Sequence, residues 1–86
     1  MYYTYVLKSK KDSRWYTGST GDLRKRFSQH NKGYNFSTKG RGPFEIIYYE
    51  AYKSKDDAFH REKNLKLRAN AFNQLKRRIV ASLKTN

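Results

Sequence analysis

Arg26 and His30 stand four residues apart, a spacing that puts both on one side of a helix. A guanidinium beside an imidazole suits phosphate: the planar fork of Arg matches a phosphodiester's oxygens and stabilises charge that grows in a transition state, while His donates a proton or a hydrogen bond. The plainer readings are an ion pair of Arg26 with Asp22 and a cationic His30 near a helix C-terminus. Glu62 breaks a local rule. With Ala58, Leu65 and Ala69 defining the inward stripe of its helix, ~100° per residue places Glu62 in the middle of that stripe. An inward acid is either paired with a Lys or Arg or holds a hard cation with help from water and substrate phosphate. Tyr5 and Tyr16 fall on the two strands of one hairpin, where their hydroxyls can converge. A phenol titrates near ~10 and serves as a base at neutral pH only where positive neighbours or a metal-bound water ease its ionisation; otherwise the two rings are a cross-strand packing pair.

The elements that must position these groups are legible. Tyr2 to Lys8 alternates as a strand, Ser9 to Ser13 is a hairpin loop, and Arg14 to Thr17 returns, with Gly18 at or near the strand's end. Ser19 with Asp22 offers a capping box, after which Leu23, Phe27 and His30 recur at helical spacing until Gly33 stops the helix. A loop from Gly33 to Pro43 carries three glycines and the one proline. Within it Tyr34 and Phe36 offer rings for base stacking, and Lys39 and Arg41 offer charge for phosphate. Phe44 to Tyr52 reads as a strand apolar enough for the centre of a sheet. Ser54 opens a helix from about Lys55 to Arg68, and Asn70 caps a third helix whose stripe is Phe72, Leu75, Ile79 and Leu83. The order is ββαβαα, an α+β arrangement of an antiparallel sheet covered by helices.

Composition bounds the partner. Eighty-six residues make one small domain, expected to run from 1 to 86, and 20 Lys+Arg against 7 Asp+Glu leave a net charge of +13. The basic residues are spread along the chain, so the positive field belongs to the folded body and favours a nucleic-acid groove. With no cysteine, disulfides, thiolate zinc sites and Cys nucleophiles are excluded. No apolar run approaches the ~20 residues of a membrane span, and the start of the chain reads as a strand where a signal peptide would be apolar. A cytoplasmic protein with no membrane partner is expected, monomeric by default.

Together these residues resemble the GIY-YIG nuclease family over nearly the whole chain. Tyr3-Thr4-Tyr5 is followed by Val6-Leu7, Tyr16-Thr17-Gly18 follows after ten intervening residues, and Arg26, His30 and Glu62 stand downstream in DLRKRF, QHNKG and FHREKNLK. The segments KGRGPFEIIYYE and LKLRANAFNQLKRRI are similar to the small stand-alone bacterial branch. The resemblance implies a three-stranded antiparallel sheet with flanking helices and an endonuclease that hydrolyses phosphodiester bonds in DNA, structure-selective or non-specific. It implies Mg²⁺, with Mn²⁺ able to substitute, held by Glu62. Tyr5 would activate or orient water, Arg26 would stabilise the pentacovalent phosphate, and Tyr16 and His30 would complete the proton network. Lys25, Tyr34, Lys39, Arg41 and Lys66 are the expected nucleic-acid contacts. The alternative is a DNA- or RNA-binding module that keeps the fold with little or no turnover.

Overall fold

β-branched and aromatic residues alternate through Tyr2–Ser9, and there the chain is extended as strand β1. In the computed structural model, which describes residues 1–84, it turns through the expected loop into β2 (Trp15–Thr20). The last two residues of the expected domain lie outside the described residues. β1 and β2 are antiparallel, with Gly18 opposite Tyr5 and Tyr16 opposite Leu7. Gly18 therefore lies within the strand and does not end it, because pairing with β1 continues through Ser19 and Thr20. Ser19 consequently caps nothing. Helix α1 (Leu23–Asn31) is capped by Asp22, whose carboxylate accepts the Lys25 N–H at 3.0 Å.

β3 (Phe44–Tyr52) pairs antiparallel with the other edge of β1, giving the order β2-β1-β3. The strand expected at the centre is thus an edge strand. Burial explains the difference: Val6 and Leu7, on opposite faces of β1, are both fully buried, whereas β3 leaves Tyr49 and Ala51 exposed. The tyrosines of β3 raise its apparent hydrophobicity, but Tyr49 is 55% exposed, and Tyr48 and Tyr52 turn their hydroxyls to Glu50. The register shifts between Val6 and Leu7, where a bulge accommodates Ile47.

α2 (Lys55–Leu67) starts at Ser54, whose hydroxyl accepts the Asp56 N–H, and α3 (Ala69–Arg78) follows after the single extended residue Arg68. Arg68 is the cap position of α3 and makes no side-chain cap hydrogen bond. Asn70, the cap expected from the sequence, lies inside the first turn, since only one residue separates the end of α2 from the start of α3. α3 breaks at Ile79 into the short α4 (Val80–Leu83). Two cores result, one on each face of the sheet. Tyr5, Leu7 and Phe44 pack with Leu23 and Phe27 of α1 on one face, and Val6 packs with Leu65, Leu75 and Ile79 of the helical pair on the other. The Thr4 hydroxyl donates to the Ala58 carbonyl at 2.6 Å, pinning α2 to the central strand. The expected stripe of Leu75, Ile79 and Leu83 meets this second core, and Phe72 closes edge-to-face on Trp15 at 5.2 Å.

Candidate active site

Because β2 is an edge strand and carries a glycine in mid-course, side chains from both faces of the sheet reach one cleft beside it. That cleft has a volume of ≈ 750 Å³ and is lined by Tyr5, Tyr16, Arg26, His30, Glu62 and Lys66 among others. Trp15, Leu65 and Phe72 form part of its wall. Tyr5, Arg26 and His30 arrive from the α1 side. Glu62 arrives from α2 on the other side, and the two groups meet around Gly18.

Gly18 has a specific reason to lack a side chain. A Cβ at this position would lie 2.4 Å from the Tyr5 hydroxyl oxygen and 2.6 Å from the ring carbon that bears it, so the Tyr5 ring occupies the space a methyl would need. The phenol lies across Gly18 and reaches His30 Nε2 at 2.9 Å. Burial pushes the Tyr5 hydroxyl up to about 12, although Arg26 pulls it down; Glu62 adds to the rise. The positive surroundings expected to ease its ionisation are present but do not win, and Tyr5 is a neutral phenol at physiological pH.

His30 is 5% exposed. Burial and, secondarily, the Arg26 guanidinium hold its imidazole below the ordinary value, so it is neutral at pH 7 and not the cationic helix-terminal histidine of the plainer reading. Its Nδ1 lies 2.7 Å from the buried Thr38 hydroxyl. Arg26 is half-buried on the cleft wall, and among the described residues it makes no ion pair; the carboxylate of Asp22 is occupied by the Lys25 N–H instead. A half-desolvated guanidinium with no internal anion is a place where an external anion binds well.

Glu62 takes the first of the two readings offered for it, the ion pair with a basic neighbour. Its side chain is 15% exposed; Oε2 accepts from Lys66 Nζ at 2.6 Å, and Oε1 accepts from the Ser19 hydroxyl at 2.6 Å. The sequence offers Ser19 only as a cap residue. Only the three-dimensional pairing of β2 with α2 shows its contact with Glu62. Tyr16 packs edge-to-face on Phe44 at 5.4 Å and stands diagonally from Tyr5, so the two tyrosines share the cleft without forming a direct cross-strand pair.

The other expected nucleic-acid contacts lie outside the cleft lining. Lys25 is exposed on α1 and Lys39 is exposed on the loop. Tyr34 is 74% and Phe36 96% exposed on the segment that also sends Asn35 and Thr38 into the cleft wall. Arg41 pairs with Asp12 of the hairpin loop at 3.1 Å. That loop and the segment before β3 are tied together, since the Ser9 hydroxyl donates to the Arg41 carbonyl at 2.6 Å. Thr38 was missed by sequence reasoning: a threonine in a glycine-rich loop carries no signal of burial, and its contact with His30 spans eight residues.

Known proteins resemble this chain in sequence and in fold. The GIY-YIG catalytic domain matches residues 1–77. The chain is 43% identical over 67 residues to UPF0213 protein CPE1444 of Clostridium perfringens, covering 77% of this chain and 71% of that protein. It is 36% identical over 67 residues to UPF0213 protein VNG_2274C of Halobacterium salinarum, covering 77% and 86%. The solution NMR structure of UPF0213 protein BH0048 from Bacillus halodurans is similar with a TM-score of 0.54 and 38% identity, covering 87% of this chain and 82% of that one.

Proposed function

Because the chain belongs to the GIY-YIG catalytic domain family, we propose that its cleft hydrolyses phosphodiester bonds in DNA with the aid of a divalent metal ion. The observation that carries this reading is the meeting of Tyr5, Tyr16, Arg26, His30 and Glu62 on one cleft from opposite faces of the sheet. The guanidinium of Arg26, which makes no ion pair among the described residues, offers its fork to the phosphate and opposes the charge that builds as phosphorus becomes pentacovalent. Tyr5 presents its hydroxyl to the attacking water, orienting it and taking up its proton, while the neutral imidazole of His30 stands behind the phenol as a base. Tyr16 lines the same wall and contributes a hydrogen bond to the phosphate or water.

The donor set fits Mg²⁺ or Mn²⁺. Glu62 is a carboxylate that already has a cation, the Lys66 ammonium, against one oxygen. Each carboxylate oxygen keeps further lone-pair capacity. Among the described residues no group of three His, Cys, Asp or Glu side chains gathers into a cage, which suits a hard cation that keeps water and takes substrate oxygens. Held by Glu62, the ion would supply Lewis-acid stabilisation of phosphate charge. Ser19 fixes the carboxylate's orientation, and Lys66, half exposed on a long stem, can turn from Glu62 to a phosphate.

A domain this small has little surface for reading base edges, so the preference is for DNA shape, such as branched, flapped or single-stranded sites, over sequence. Supercoiled plasmid and branched DNA incubated with the protein, with and without Mg²⁺ or Mn²⁺, test the reading beside Glu62→Ala and Tyr5→Phe. Metal-dependent nicking by the parent, lost in both variants, is expected. If all three proteins bind DNA equally and none nicks under any metal, the chain is a binding module and the hydrolytic reading is wrong.

A further inference from the structure

Tyr5, His30 and Thr38 form a line of hydrogen bonds that is 3%, 5% and 1% exposed along its length. The Tyr5 hydroxyl stands 2.9 Å from His30 Nε2, and His30 Nδ1 stands 2.7 Å from Thr38 Oγ1. A neutral imidazole carries one N–H, so one nitrogen donates and the other accepts. The far end of the line decides which. Thr38 Oγ1 also faces the Asn35 carbonyl oxygen at 3.5 Å, and a carbonyl can only accept. Both Thr38 contacts are hydrogen bonds only if the hydroxyl gives its proton to Asn35 and turns a lone pair toward Nδ1. The ring proton then sits on Nδ1, and Nε2 is bare and receives the Tyr5 proton.

We propose that Thr38 is a positioning residue that fixes the Nδ1–H tautomer of His30 and thereby aims the Tyr5 hydroxyl proton at the imidazole. This rests on the hydrolytic reading above and adds the direction of its proton flow. In the step, a water O–H bond breaks and its proton goes to the Tyr5 oxygen as the Tyr5 proton moves to His30 Nε2. The water oxygen forms the new bond to phosphorus. The bond from phosphorus to the leaving oxygen breaks with its electron pair, and that oxygen takes a proton from solvent. The proton on His30 returns to solvent through Tyr5. In the other tautomer Nε2–H would point at the phenol oxygen, and the Tyr5 proton would have no acceptor.

The fold holds Thr38 where this requires. It ends the single 3₁₀ turn Phe36–Thr38, its own N–H donates to the Asn35 carbonyl at 3.2 Å, and the segment is anchored downstream where the Phe44 N–H donates to the Asn31 side-chain oxygen at 2.7 Å. The loop is thus a strap that carries one hydroxyl to the back of the imidazole.

Imidazole nitrogen shifts in ¹⁵N-histidine-labelled protein read the tautomer directly, with exposed His60 as an internal reference. At neutral pH, His30 is expected to show a pyrrole-type Nδ1 and a pyridine-type Nε2. Thr38→Val, which keeps the shape and removes the hydroxyl, is expected to lose that preference and to lower kcat roughly a hundredfold with KM little changed. Thr38→Ser should restore both. A wild-type His30 protonated at Nε2 overturns the proposal. So does a folded Thr38→Val protein with unaltered tautomer and kcat, or a Thr38→Ser protein as impaired as Thr38→Val. Failure of the wild type to nick any DNA would sink the hydrolytic reading instead, leaving the tautomer measurement to decide what Thr38 does to His30.

Discussion

At the scale of single residues, the cleft depends on one missing side chain and one uncharged ring. Gly18→Ala would put a methyl carbon 2.4 Å from the Tyr5 oxygen, and the strand behind it is paired, so the phenol must be what moves. The expected result is a folded protein destabilised by about 1–3 kcal/mol in urea unfolding, with kcat reduced at least as far as in Tyr5→Phe. The titration of His30 gives a second expectation. Burial first and Arg26 second keep its imidazole from protonating until the pH is below its ordinary 6.5, and only the bare imidazole accepts a proton. The kcat profile should therefore be level between roughly pH 7 and 9 and fall on the acid side of 6.5. A Tyr5 phenolate acting alone would instead raise kcat about tenfold per pH unit toward the phenol's value of about 12, and such a slope would rule out the His30 relay.

At the scale of elements, α2 must be held at one height on the sheet for Glu62 to reach Ser19, and a half-buried carboxylate supplies part of that hold. Glu50 on β3 accepts from the hydroxyls of Tyr48 and Tyr52 at 2.6 and 2.5 Å and from Arg61 Nε of α2 at 2.9 Å. Burial alone would raise its pKa, but the two phenols and Arg61 outweigh it and hold the carboxyl below the ordinary 4.5. A group depressed in the folded state contributes stability that is present above its unfolded value and is lost as pH falls through the folded one. Glu50→Gln should accordingly cost about 2 kcal/mol at neutral pH, because it leaves the Arg61 charge half-buried without its partner. In urea unfolding the gap between variant and parent should close below pH 4.5; a gap that stays open in acid would show that the brace is not ionic. The periodicities announced these elements well. Leu23, Phe27 and His30 marked α1, and the inward position of Glu62 marked the acid. Contacts between elements were not legible, because Ser19 to Glu62 spans 43 residues and Thr4 to Ala58 spans 54. Sheet order also escaped, since Tyr48, Tyr49 and Tyr52 count as apolar in a pattern yet are only partly covered on the edge strand β3. The cap of α1 failed because β2 runs on through Ser19 and Thr20, so that Asp22, read as the partner in a capping box begun by Ser19, is itself the cap.

For the molecule as a whole, the net charge of +13 acts as one field, and the cleft is where that field meets a desolvated cation. Lys66 and Arg26 line the cleft itself, while Lys63 and Arg68 line an adjoining groove that shares Leu67 with it. Four cations along this path correspond to about four phosphates. With a slope near −0.9 per phosphate on duplex DNA, the binding constant should fall on the order of a hundredfold between roughly 50 and 200 mM salt. Removing a cation from the path and removing one elsewhere should have different effects, although each changes the net charge by one. Arg68→Ala is expected to lower the slope of log K against log salt by about one. Arg41→Ala is expected to leave the slope nearly unchanged, because its guanidinium is already turned to Asp12. Fluorescence anisotropy with a labelled duplex over a salt series measures both slopes. Equal loss in the two variants would mean that the protein holds nucleic acid by undirected charge, and that the cleft has no privileged line of phosphate contacts leading to it.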